Sequence, residues 1–474
     1  MEDTGARRRQ FLKRITLAGA GALGTCGLVN AVAPLALPEE RVFERNTSHW
    51  ARALPPAQAP LTADLDADVV VIGGGFTGLS CAYYLRECLP GKRIVLLEAS
   101  VCGNGASGRN GAMVLTMTEG SYMRLSDDPE IDRRLYELTA SNIDILETLA
   151  AEHGIDCELE RNGALQTVES SEQAAEATAF CARARDFGLP FEYWSRDRTV
   201  ANIGTSAYAG ALFDPGGAQV HPGKLVGLWK AAAMRAGVEI YEGTAVIDIQ
   251  DNAIHEVTTA ALNRVRTPVL VLATNAYTSR LGYLRRAVAP LFDYVAVTPE
   301  LSDEQIEAAG WRLRIPYNDS RTEVYYAGLT RDRRIHFGGG PVDYSFNNGM
   351  RTRAEAATRY AELHKEFARH FPALARVGFE SGWTGSVDMS LDGSPSVGTL
   401  GRHRNIFYGI GFSGHGVNLS SVFGRIIADL VANRAEQWGW LPFLNRLPPY
   451  IPNEPFRWLG IRADLAYTRW TEAG

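Results

Sequence analysis

The stretch from Asp68 to Glu98 constrains this chain more than any other. Val69-Val70-Val71-Ile72 is a continuous apolar run of strand length. Gly73-Gly74-Gly75-Phe76-Thr77-Gly78 follows it in the pattern GxGxxG. A helix is expected from about Leu79 to Cys88, ended by Pro90-Gly91. Arg93 to Leu97 then reads as a second buried strand, closed by Glu98. Strand, glycine turn, helix and strand at this spacing make a βαβ unit of a parallel sheet. Gly73 permits the turn, Gly75 leaves room for a pyrophosphate, and Gly78 lets the helix lie close on the strand. The helix N-terminus offers free N–H groups to the phosphates, and Glu98 can accept from both ribose hydroxyls.

The pattern alone is weak, and the chain contains its own control. Gly19-Ala20-Gly21-Ala22-Leu23-Gly24 fits GxGxxG equally well but has no strand before it and no βα unit after it. It lies within a different kind of signal. Arg7-Arg8-Arg9-Gln10-Phe11-Leu12-Lys13 resembles a twin-arginine export motif, and a Gly/Ala-rich, weakly hydrophobic stretch runs from about Ile15 to Ala33. Periplasmic or otherwise exported localisation through the twin-arginine machinery is therefore expected. An uncleaved segment would serve as a membrane anchor, and Cys26 is a weak lipidation candidate.

A chain of 474 residues is too long for one core and is expected to form two connected domains. Its formal net charge of -6 gives no electrostatic support for nucleic-acid binding. The six cysteines form no close CxxC pair and have no histidine at zinc-ligand spacing. No metal site is expected, and the cysteines read as mostly buried thiols with no indicated disulfide.

Beyond the βαβ unit, helices are expected at about 130–153, 172–187, 224–236, 354–371 and 417–432. Strands are expected at 157–160, 164–168, 238–241, 245–250, 269–273, 293–298, 323–326, 334–338 and 406–410. Strand–helix segments at both ends around a strand-rich middle point to an α/β nucleotide domain interrupted by an α+β domain with a mixed sheet. Two further motifs separate FAD from NAD. Gly103 to Gly111 is a glycine-rich polar loop able to follow a diphosphate and pass beneath a flavin. Gly409-Ile410-Gly411-Phe412-Ser413-Gly414-His415-Gly416-Val417-Asn418 follows a strand and opens a helix whose N-terminus can stabilise reduced flavin.

These segments, together with VLATNAYT, GWTGSVDMSLDGSP and GFSGHGVNLSSVFGRIIADL, resemble the D-amino-acid-oxidase/glycine-oxidase superfamily, and within it gamma-glutamylputrescine oxidoreductase-like proteins. The resemblance implies a Rossmann-like FAD-binding domain interrupted by a substrate domain. It implies FAD contacts at Gly73, Gly75, Gly78, Glu98, Ser107, Arg109, Asn110, Gly111, Val246, Thr274, Gly414, Gly416 and Val417. Relatives with covalent FAD use a late Cys or a loop His. No Cys follows Cys181 here and Arg109-Asn110 fills that loop, so the FAD is expected to be non-covalent. The implied layout is a signal at 1–33, a linker and arm at 34–66, an FAD-binding domain at 67–150, 205–290 and 380–435, a substrate domain at 151–204 and 291–379, and a tail at 436–474.

The implied reaction is oxidation of a C–N bond in a small amine or amino acid, by hydride transfer to flavin N5, giving an imine that hydrolyses. Electrons would pass to O2 or to a quinone or other respiratory carrier. The alternatives are a membrane-associated amino-acid deaminase or dehydrogenase and a non-catalytic flavin-binding or assembly protein. Amino-acid-oxidising relatives often place an Arg before the turn that here reads Thr330-Arg331-Asp332-Arg333-Arg334, where a small residue stands instead. Arg331 and Arg333 read as turn residues, which favours a substrate without an α-carboxylate. Tyr325 and Tyr326 are candidates for an aromatic wall, one of them pointing inward. His415 is a candidate base, though a His between glycines more often packs locally. Asp388 and Asp392 read as turn residues.

Overall fold

The computed structural model describes residues 47–116, 125–349 and 357–472. The stretch 1–33, expected to be an export signal, lies outside the described residues.

Two large sheets organise the molecule. The first has six strands in the order Ser396–Leu400, Ile406–Ile410, Val269–Leu272, Val69–Ile72, Ile94–Leu97 and Glu239–Tyr241. All its neighbouring pairs are parallel except the first. The four residues Val69–Ile72 are buried on both faces, which explains an uninterrupted apolar run rather than an alternating one. Helices Phe76–Cys88 and Gly416–Val431 pack against each other over this sheet, and a Cβ at Gly424 would lie 2.0 Å from Ser80 Oγ. Both begin at the carboxyl ends of their strands, where ligands of open α/β sheets bind.

The second sheet has eight strands: Ser381–Ser390, Val288–Val297, Ile335–Gly339, Tyr325–Leu329, Tyr317–Asn318, Ala164–Val168, Gly210–Asp214 and Glu192–Ser195. It is antiparallel except where Tyr317–Asn318 meets Ala164–Val168. Two members, Gly210–Asp214 and Ser381–Ser390, come from stretches expected in the nucleotide domain. The second is held along the whole of Val288–Val297. Tyr294, Tyr325 and Phe337 pack on one face of this sheet beneath helix Ala357–His370. Trp383 and Val295 lie on the other face, toward the glycine-rich loop.

The stretch expected to be a linker is partly built into the fold. Ser48 caps a short helix at His49–Ala53, and Trp50 is 1% exposed. Leu65–Asp66 adds a strand to the small sheet formed with 246–267. Buried Lys230 donates to Pro56 O (2.7 Å) and pairs with Glu242 (2.6 Å), while the Gln58 N–H also reaches Glu242. The expected tail likewise contains a helix, Phe456–Glu472, tied down by Arg457 to Asn348 (2.9 Å) and to Arg285 O (2.7 Å). Cys81, Cys102, Cys157 and Cys181 are buried free thiols.

Candidate active site

The turn after Val69–Ile72 is built for close approach. Gly73 has φ +107°, and a Cβ there would sit 2.5 Å from Ala273 O, beside the Thr274 backbone. A Cβ at Gly78 would sit 1.9 Å from Gly73 O, so only glycine lets the helix lie this near the strand. At Gly75 the space is bordered by Ser107 Oγ, which accepts the Phe76 N–H at 2.9 Å and so holds the glycine-rich loop against the helix N-terminus. Glu98 Oε2 accepts from Gly74 N–H (2.7 Å) and Oε1 from Ser100 N–H (2.9 Å). Burial pushes its carboxyl above the ordinary value despite these bonds. Thr244 N–H donates to Glu98 O (2.8 Å), which brings the strand starting at Val246 beside this carboxylate.

The loop Gly108–Gly111 is fixed through its carbonyls. Ser48 Oγ donates to Gly108 O (2.5 Å), the Trp383 indole to Arg109 O (2.9 Å), and the Trp50 indole to Asn110 O (2.9 Å). His336 Nε2 lies 3.0 Å from Gly111 O and, facing an acceptor, must carry the proton. Burial lowers the His336 pKa to about 4, so the ring is neutral near pH 7. Because a C=O and the following N–H point in opposite directions, this row turns the Asn110 and Gly111 N–H groups away from those four donors. The Arg109 side chain is buried and donates to Asn104 O (2.6 Å) and Thr384 O (3.0 Å), while Asn110 Nδ2 folds back onto Ser107 O (2.8 Å). Both shape the loop from within.

At the far motif Gly411 and Gly414 take φ of +78° and +97°, and helix Gly416–Val431 starts at once, with Val417 buried in its first turn. Asp388, read from sequence as a turn residue, instead lies inside strand Ser381–Ser390. Its Oδ2 accepts from Gly411 N–H at 2.6 Å. Burial raises its pKa to about 7. Asp392 does make a turn bond, accepting from Ser394 N–H (3.1 Å). Asn418, not singled out from sequence, donates to Leu115 O (2.8 Å) and Thr139 O (2.9 Å), joining this helix to Pro129–His153. His415 precedes the helix with a pKa lowered by burial to about 4, and its buried Nδ1 has no partner among the described residues.

Of the two tyrosines, Tyr326 faces the loop. A Cβ at Gly111 would lie 2.6 Å from its ring, and one at Gly338 would lie 2.5 Å from it. With no side chain at Gly338, the phenol crosses that strand and donates to Asp293 Oδ2 at 2.7 Å. Tyr325 lies on the opposite face, packed beneath Arg321 at 4.2 Å, and is not brought into this site. The turn arginines also point elsewhere: Arg331 pairs with Asp156 (2.5 Å) and Glu160, and Arg333 with Asp303 (2.8 Å) and Glu300.

Glycine cradles, a buried carboxylate after the second strand, two helix N-termini and a buried His Nδ1 without a partner among the described residues fit a flavin dinucleotide. Residues 68–430 match the family described as FAD dependent oxidoreductase. The chain belongs to this family. A probable oxidoreductase, OrdL, of Haemophilus influenzae is 30% identical over 389 residues, covering 80% of this chain and 86% of that protein. Gamma-glutamylputrescine oxidoreductase of Escherichia coli is 30% identical over 434 residues, covering 87% and 93%. In fold, the FAD-dependent oxidoreductase described here is similar to glycine oxidase from Geobacillus kaustophilus, with a TM-score of 0.68 at 22% identity over 80% of this chain and 98% of that one.

Proposed function

We propose that this FAD-dependent oxidoreductase oxidises the C–N bond of a small amine to an imine, which water then hydrolyses. Bound FAD supplies the hydride acceptor at N5. Gly73, Gly75, Gly78 and Thr274 border its diphosphate, Glu98 and the Val246 backbone its adenosine half, and Gly414, Gly416 and Val417 its pyrimidine edge. Ser107, Arg109, Asn110 and Gly111 form the loop beneath the ring.

The observation that carries the reading is the chemistry of the sheet face against the Arg109–Gly111 loop. It carries the Trp383 indole, the Tyr326 phenol and the Asp293 carboxylate, and Trp50 of the short helix His49–Ala53 packs against it. The three arginines of the nearby turn are engaged outward by carboxylates, Arg334 with Glu380 and Asp332 (3.0 Å). Such a face favours a substrate without an α-carboxylate, and its apolar walls favour the neutral form of the reacting nitrogen. The relatives named for glycine and for gamma-glutamylputrescine lend the C–N reaction support.

FAD is held non-covalently, electrons leave to O2 or a respiratory quinone, and the twin-arginine segment exports the folded holoprotein. The test is product analysis. Purified holoenzyme supplied with short alkyl amines and either O2 or a soluble quinone is expected to yield aldehyde in step with acceptor reduction. Acceptor reduction without any carbonyl product would refute the C–N reading.

A further inference from the structure

Asp293 has a setting that the flavin site does not explain. It is the sole ionisable side chain in the strand Val288–Val297 other than Tyr294, and it stands between the buried residues Phe292 and Tyr294. Its register partner is Gly385, where a Cβ would lie 3.3 Å from Arg109 Cβ. The Asp293 side chain therefore leaves the sheet on the face turned toward the flavin loop. The residue as a whole keeps some exposure, while its carboxyl group is withdrawn from bulk water.

Its donors are neutral: Tyr326 Oη to Oδ2 (2.7 Å), Tyr294 N–H to Oδ1 (2.7 Å) and the Gly339 backbone. Among the described residues it makes no ion pair. A carboxylate taken this far from bulk water without a cation is costly, and burial raises its pKa to about 6. Near neutral pH it nevertheless remains largely ionised, and a cation entering the site would supply the missing charge. Tyr326 fixes the carboxylate's orientation but brings no positive charge. The reacting nitrogen must offer a lone pair and cannot remain protonated, so the cation belongs elsewhere on the substrate.

We infer that Asp293, oriented by Tyr326, is the counter-ion for a second cationic group of the substrate, remote from the nitrogen that is oxidised. This rests on the proposed amine oxidation and makes diamines, and amines carrying a further fixed positive charge, its preferred substrates over simple alkyl amines. The enzyme would then select its substrate by a positive charge rather than by a carboxylate.

Calorimetric titration of the oxidised holoenzyme with tetramethylammonium, which cannot form an imine, tests this without turnover. Saturable binding is expected, weakened by about tenfold or more in Asp293→Asn and retained in Asp293→Glu. Glycine betaine, which adds a carboxylate to the same cation, is expected to bind about tenfold more weakly to the native enzyme, an arm that needs no variant. Equal binding to native and Asp293→Asn protein, betaine binding as tight as the cation, or no cation binding at all would overturn the inference. If 1-aminobutane still reduces the flavin when the cation fails to bind, the proposed reaction stands while the Asp293 assignment falls.

Discussion

The Trp50 indole donates to the carbonyl of Asn110 at 2.9 Å, joining residues 60 positions apart. The stretch expected to be a linker thus helps to hold the Gly108–Gly111 loop in place. Trp50 also meets His336, Trp383 and His221 edge-on, with ring centroids 5.4, 6.0 and 5.1 Å away. Trp50→Phe removes the indole bond and keeps most of the packing. It is expected to destabilise the holoprotein by about 1 kcal/mol. Trp50→Ala also opens a cavity and is expected to cost about 3–5 kcal/mol. Denaturant titration followed by flavin release checks both, and an unchanged midpoint in Trp50→Ala would show that the arm is passive.

Gly78→Ala places a Cβ 1.9 Å from Gly73 O, a contact with backbone that no rotamer relieves. The expected cost is about 3 kcal/mol with loss of bound FAD. Gly105→Ala is the control, since nothing lies within 4 Å of that Cβ. Flavin content per protein, read from the visible spectrum, should fall only in the first variant.

Much of this core could be read directly from the sequence. Val69–Ile72 and Ile406–Ile410 fall where apolar runs between glycine turns place them, because parallel strands covered on both faces carry an unbroken apolar signal. Ser381–Ser390 escaped because SGWTGSVDMS is rich in Gly, Ser and Thr. Its strand character comes from pairing with Val288–Val297, which local pattern does not contain. Asp388 was misread for the same reason. The alternation of Tyr325 and Tyr326 showed that one must face inward, but the choice is made by Gly338 and Gly111, which leave room for the Tyr326 ring. Asp293 did carry a signal: a single acid in the otherwise apolar run VAPLFDYVAV.

The buried Asp388 carboxyl gives stability a defined pH dependence. Its pKa rises from 3.8 to about 7 on folding, so between those values the native state binds more protons than the unfolded chain. Its contribution therefore makes stability fall as pH rises through that window and level off above it. Asp388→Asn removes the group, so the difference in stability between native and variant should vary between pH 4 and 7 and be constant above. Urea melts at several pH values check this; a difference independent of pH would contradict the buried carboxyl.

In the proposed FAD site Glu98 stands at the adenosine end. Glu98→Gln keeps the size but loses the charge that accepts the Gly74 and Ser100 N–H groups. A charge-assisted bond is about twice as strong as a neutral one, and FAD affinity is expected to fall by about tenfold. Fluorescence titration of apoprotein with FAD measures it, and unchanged affinity would place the ribose elsewhere.

The central claim, that this flavoprotein oxidises amines without using an α-carboxylate, is tested most directly by anaerobic absorbance of the oxidised flavin band during addition of amines and α-amino acids. The account predicts bleaching by alkyl amines and diamines, with α-amino acids leaving the band intact. Bleaching by α-amino acids, or by no amine at all, would contradict it.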